Sequence, residues 1–231
     1  MSPNASSVPI GRPGSSGQPG SKPGPRRGGW LAQQERHALC DLLYDLGPDA
    51  PTLCAGWRTA DLAAHLVARD RRPDSTPGAV LRLRPLREWA DRVRDGLRDT
   101  LTWSELLARL RAGPPAMVRP LDGAVNTVEF FVHHEDVRRA QPGWQPRALG
   151  PEAEDELWRR LNAMSLWLRL LSSWGRRPPA SRAEVPGHPP VLLAGRRART
   201  AQAGPMAVRG SASEVALWLL GRKDVARVEL S

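Results

Sequence analysis

At 231 residues with 40% hydrophobic content, the chain has enough apolar material for one medium packed domain with a small partner, and it is not disordered as a whole. A formal charge of +10 would ordinarily point to nucleic acid or an anionic membrane, but residues 1–29 carry +4 of it, residues 176–209 carry +6, and residues 30–175 balance 20 Arg against 20 acids. Two cysteines leave no disulfide scaffold, no stretch approaches the ~20 apolar residues of a membrane helix, and the N-terminus lacks a secretory apolar core. These features predict a soluble cytoplasmic protein with neither a membrane nor a nucleic-acid partner. Arg outnumbers Lys 32 to 2, a bias typical of GC-rich bacterial genomes.

Residues 1–29 hold seven Gly, six Pro and six Ser, and they bury too little to offset their conformational entropy. A disordered tail is expected there; translation from an upstream start is the alternative. Helical periodicity begins at Trp30, runs through Leu39, Leu42, Leu43 and Leu46, and closes at Gly47-Pro48. Thr59 is the expected N-cap of a second helix, which stops near Arg71 before Pro73. A turn at Asp74–Gly78 leads to a charged helix over about 85–101. Thr102-Trp103-Ser104-Glu105 then forms a capping box for a short helix ending at Gly113. Further helices are expected over about 123–140 and from Pro151 to about Trp174, the latter with acids in its first turn.

Four long amphipathic helices over 30–175 imply a mainly α fold, a helical bundle. Five prolines mark residues 176–190 as a linker. Residues 191–231 are expected as a small α+β C-terminal domain, with strands at Val191–Ala194, Met206–Val208 and Val225–Leu230. Its helix opens at a second capping-box pattern, Ser211-Ala212-Ser213-Glu214.

Glu129 and His133 stand four apart, so on a helix both leave one face. A carboxylate and an imidazole turned into a bundle need a partner, and a metal ion is one. His65, between Leu62 and Leu66 on the second helix, is the candidate third ligand, leaving positions open for water or substrate. His134 points about 100° away and is the weaker ligand. Asp136 returns one turn past His133, where it can orient that ring. Two simpler readings stand beside this one: a core histidine bonded to backbone, and a plain Glu129–His133 ion pair. Cys54 reads either as a thiol in the pocket or as a small buried loop residue. Cys40 reads as core, His37 as surface, and Trp57, Trp144 and Trp218 as packing anchors.

Cys54-Ala55-Gly56-Trp57 followed by Asp61-Leu62-Ala63-Ala64-His65-Leu66 resembles the signature of the mycothiol-dependent maleylpyruvate isomerase N-terminal family. That family is an actinobacterial branch of the DinB-like metal-binding bundles. Glu129, His133 and Asp136 match its second motif, and Ser213–Arg222 is similar to the small C-terminal domain often fused to it. The resemblance spans most of residues 30–231 and is nearest, over Leu53–Asp74 and Asn126–Trp144, to an actinobacterial metal-binding subgroup. It implies a DinB-like four-helix bundle with a divalent metal, Zn2+ foremost, on His65, Glu129 and His133. It also implies a low-molecular-weight thiol such as mycothiol as co-substrate, beside a small-molecule substrate. Arg222 is the candidate catalytic residue, placed to reach an anionic substrate. The expected function is a metal- and thiol-dependent transferase or isomerase. A non-catalytic protein in which the ion braces the bundle is the alternative.

Overall fold

The computed structural model describes residues 29–72, 84–117, 119–171, 181–192 and 205–231. Residues 1–28 of the expected tail, the Asp74–Gly78 turn and residues 176–180 of the expected linker lie outside them. The described chain is mainly helical, with seven helices and a small four-stranded sheet near the C-terminus.

Helix α1 (Trp30–Leu46) buries Leu31, Leu39 and Leu43 along one stripe and ends at Gly47, whose φ of 76° only glycine adopts at little cost. Helix α2 spans Thr59–Arg71, but Thr59 is its first helical residue rather than its cap. The Thr59 hydroxyl instead donates to the Gly47 carbonyl at 2.6 Å, and the Asp61 carboxylate accepts from the Arg58 N–H at 2.9 Å. Tying α2 to the end of α1 has displaced the local capping role onto Asp61. Helix α3 (Arg84–Thr100) is charged around most of its surface and buries only Val93. Helix α4 (Trp103–Ala112) carries the expected reciprocal cap between Thr102 and Glu105.

Helix α5 (Arg119–Arg138) begins four residues before Gly123. Pro120 is compatible with this start, because an N–H in the first turn has no intrahelical partner to lose. Helix α6 (Pro151–Leu171) opens on proline, with Glu152 and Glu154 in its first turn.

The sheet has the order β2-β1-β3-β4, with β1 (Ser181–Glu184), β2 (Val191–Leu192), β3 (Met206–Arg209) and β4 (Glu229–Leu230). Strand β1 falls inside the stretch expected as linker. It pairs antiparallel with β2 and parallel with β3, and buries Ala183 completely. The alternation Ser-Arg-Ala-Glu is too short to stand out among the flanking prolines, and only pairing with β3 defines it. Strand β4 is shorter than Val225–Leu230, since a turn bonded from Val225 N–H to the Arg222 carbonyl holds its expected start. Helix α7 (Ala212–Leu219) is capped by Ser211, but the Glu214 carboxylate that would complete the box bonds Arg139 and the Arg227 N–H instead.

Two apolar cores result. One joins α1, α2, α4 and α5 through Leu39, Leu43, Leu66, Leu110, Phe130 and Val137. The other joins α5 and α6 to the sheet and α7 through Phe131, Leu157, Val208, Val215 and Leu217. Helix α5 contributes to both, so its side chains meet the helical layer on one flank and the C-terminal unit on the other. Among the described residues, no helix is long and apolar enough to cross a membrane.

Candidate metal centre

His65 from α2 and Glu129 and His133 from α5 come together between those helices. Nε2 of His65 lies 3.5 Å and Nε2 of His133 lies 3.3 Å from the same oxygen, Glu129 Oε1. The two rings stand edge to face, with centroids 5.4 Å apart. All three candidate donor atoms lie within 4.8 Å of one another, so the residues can hold one metal ion.

The distances are compatible both with the plain Glu129–His133 ion pair and with ligation of an ion. An N–H···O bond runs at about 2.7–3.2 Å. The edges of a tetrahedron built from nitrogen and oxygen ligands on zinc come to about 3.3–3.5 Å. The two contacts to Glu129 Oε1 fall in the second range and just past the long end of the first, and the two imidazole nitrogens lie within 4.8 Å of each other.

Protonation leaves two alternatives. Nδ1 of His133 lies 2.9 Å from Asp136 Oδ2, and donating there leaves Nε2 as a lone pair aimed at a carboxylate oxygen. Either a second proton or a cation must stand between them. Burial pulls His133 down, but its contacts with Asp136, Cys54 and Glu129 outweigh that and hold it well above the ordinary histidine value. Burial, helped by the nearby His133 and Arg69, lowers His65 against the pull of Glu129 and so favours the neutral ring. Burial would raise Glu129, yet the two imidazoles and Arg69 keep it well below the usual range.

Behind His133 lies a fully buried anchor. Asp136 is inaccessible to solvent and accepts from His133, from Arg222 Nε at 2.8 Å and Nη2 at 2.6 Å, and from Cys54 Sγ at 3.2 Å. Burial would raise this carboxyl, but His133 and Arg222 bring it down to about 2. A carboxylate that fixes the tautomer of a ligating imidazole is the usual outer support of a metal site.

Cys54, His133 and Asp136 form a second group with metal-ligand spacing. Arg222 disfavours it, because its guanidinium already grips both oxygens of Asp136 and lies 3.7 Å from the Cys54 sulfur. A second cation there would be driven against the first. Nη1 of Arg222 donates to the Leu220 carbonyl at 2.5 Å, so this arginine braces Asp136 while its side chain stays 22% exposed. Cys54 lies on the wall of a pocket of about 340 Å3 shared with Leu53, Ala55 and Arg222.

Comparison with models of protein families, with curated proteins and with solved structures yields no match to this chain. The site is therefore characterised by its own geometry.

One turn along α2 from His65, Arg69 lies 3.6 Å from Glu129 Oε1 and donates to the Asn126 amide oxygen at 3.2 Å. Asn126 in turn donates to Asp70, which is ion-paired with the buried Arg36. Sequence reading did not single out this chain of residues. The spacing held the signal, for Arg69 is four residues after His65 and Asn126 three before Glu129.

The other candidates fall elsewhere. His134 donates to Glu35 at 2.8 Å on another face of α5. His37 is exposed on α1, and His188 pairs with Asp155. Cys40 is buried in the helical core, where desolvation pushes its thiol up to about 11. Trp57 packs its ring 5.1 Å from that of His65 and takes Arg94 over it at 4.9 Å, so this tryptophan walls the centre as well as anchoring the loop.

Proposed function

We propose that this protein binds one divalent metal ion, zinc by preference, through His65, Glu129 and His133, and uses it in a thiol-dependent transferase or isomerase reaction on a DinB-like bundle. The observation that carries the reading is the convergence of two imidazole nitrogens on one carboxylate oxygen, with all three donor atoms within 4.8 Å of one another. Two nitrogens and one oxygen form a donor set of the kind found in catalytic zinc sites, and three protein ligands leave a position open. The side chains of His65 and Glu129 are about a quarter exposed, which favours a site reached from solvent over an ion sealed in as a brace. The motif resemblance around Cys54–Leu66 and Glu129–Asp136 supports mycothiol or a similar small thiol as co-substrate.

When bound, such a metal acts as a Lewis acid that stabilises a thiolate at neutral pH. The chain's own residues prepare the place. Asp136 holds the Nδ1 proton of His133, so that Nε2 presents its lone pair. Arg222 and Cys54 keep Asp136 from rotating. Trp57 shields His65 on one side, and burial favours the neutral form of that imidazole.

Elemental analysis of the purified protein is expected to find about one metal per chain, lost in the His65→Ala, Glu129→Ala double variant. Calorimetry with small thiols is expected to show binding only in the loaded protein. Unchanged metal content in the double variant would refute the site. Metal without thiol binding would leave the bracing role.

A further inference from the structure

The two nitrogens of the His133 ring belong to different donor groups. Nε2 meets Glu129 beside His65, whereas Nδ1 lies 2.9 Å from Asp136 Oδ2 and 3.8 Å from Cys54 Sγ, with that sulfur 3.2 Å from the same Oδ2. Both groups have metal-ligand spacing. The sulfur edges of a zinc tetrahedron come to about 3.5–3.7 Å, which the two sulfur distances bracket. A neutral imidazole has one lone pair, so His133 serves one group or the other.

By donor chemistry alone the second group is the stronger. A thiolate and a carboxylate bring two negative charges against the single charge of Glu129, and sulfur suits zinc. On the metal reading above, something keeps the ion out of it.

Arg222 is placed to do so. Just past α7 its N–H donates to the Leu217 carbonyl at 2.9 Å and its Nη1 to the Leu220 carbonyl at 2.5 Å. Held there, Nε and Nη2 take the two oxygens of Asp136, and Nη2 also lies 3.7 Å from the Cys54 sulfur. The guanidinium thus meets the carboxylate and the sulfur that an ion would use. Thiol, carboxylate and guanidinium are neutral together. A divalent ion with thiolate and carboxylate is neutral too, but with the guanidinium beside it the group carries an excess charge of +1. Asp136 is 0% exposed, and an uncompensated charge is costly there.

Resting on the metal reading, we propose that Arg222 selects the metal position. Its guanidinium stands as a tethered cation in the Cys54–His133–Asp136 group and confines the ion to the Nε2 side of His133. Loading the second group replaces the thiol proton and the Nδ1 proton by the ion, with both protons passing to solvent, and it requires the guanidinium to be gone. Cys54 and Arg222 line the same pocket of about 340 Å3, so an ion has a route to them.

The test loads the full chain with cobalt(II), whose sulfur charge-transfer absorption reports a thiolate ligand. The background is the His65→Ala, Glu129→Ala variant, which lacks the first group. Adding Arg222→Met, or Arg222→Gln where the former does not fold, is expected to raise bound cobalt from none to about one per chain, with the sulfur band present. Adding Arg222→Lys keeps the cation and is expected to give neither. A further Cys54→Ser change is expected to remove the band. A residue that only braced Asp136 would not create a thiolate-bound ion on its removal.

No cobalt in the folded neutral variants, cobalt without the band, or an equal band with Arg222 or Lys in place overturns the proposal. The natural chain is loaded alongside. Absence of metal from it defeats the functional reading, and the variants still decide the role of Arg222.

Discussion

On one face of α5, Glu129 meets two imidazole nitrogens at 3.3–3.5 Å, and on another face Glu135 meets Arg138, Arg139 and Arg147 at 2.6–2.9 Å. Both carboxylates belong to one helix and lie six residues apart. Around Glu135 the charges close on themselves. Arg139 continues to Glu214 at 2.6 Å, Arg147 to Glu35 at 2.5 Å, and His134 to Glu35 at 2.8 Å. Glu35, Glu135 and Arg139 are each almost fully buried, and that network fastens α1 and α7 to α5. Around Glu129 the contacts are longer, and the side chains of Glu129 and His65 are about a quarter exposed. The short, mutual bonds around Glu135 are architectural, whereas the three donors around Glu129 are spaced so that they could hold a metal ion, as proposed above.

The largest expected effect tests the closed cluster. Arg139→Met leaves Glu214 and part of Glu135 without their partner and is expected to cost about 3–5 kcal/mol in urea unfolding, with metal content per folded chain unchanged. Metal loss before unfolding would show that the two clusters are not separate. Next, Asp136→Asn removes the charge and one of the two accepting oxygens that hold His133 and Arg222 and is expected to weaken metal binding about 10–100-fold by competition with a chelator, with a smaller effect on folding. An affinity within twofold of the natural protein would mean that Asp136 serves structure alone.

A third difference concerns protons. In the metal-free protein His133 is held protonated between Glu129 and Asp136, so metal uptake is expected to release about one proton, read by calorimetry in buffers of different ionisation enthalpy. Affinity then rises with pH until His133 has lost that proton in the metal-free protein. A release of zero would contradict this picture. The smallest effect is on acid stability. Glu35, Glu135 and Asp136 are all lowered on folding, Asp136 to about 2. Their contribution is present above the ordinary carboxylate value near 4 and is lost as pH falls toward the folded values. Urea unfolding of the metal-free protein is expected to show falling stability between about pH 4.5 and pH 2, with no such slope from these groups above pH 5.

Much of the helical layer was legible because its signals are local. Gly47 and Gly113 end helices where their φ values are positive, and Thr102 caps Glu105 within four residues. Strand β1 was hidden because four residues with one fully buried alanine carry no periodicity until β3 lies beside them. Glu214 fits a capping box locally, yet Arg139 offers a buried carboxylate more than the helix end does, so tertiary pairing won. For Glu129 and His133, helical geometry alone placed both on one face.

What the sequence determined by itself is that the +10 charge lies away from the balanced segment 30–175, and that a carboxylate and an imidazole share one turn of α5. Only the tertiary structure decided that His65 from another helix reaches the same oxygen, that Arg222 braces Asp136 from the C-terminal unit, and that Arg69 lies beside Glu129. The physical reason is range. Caps, turns and faces depend on neighbours within a few residues, whereas a shared ligand atom depends on how two helices are held apart by everything packed around them.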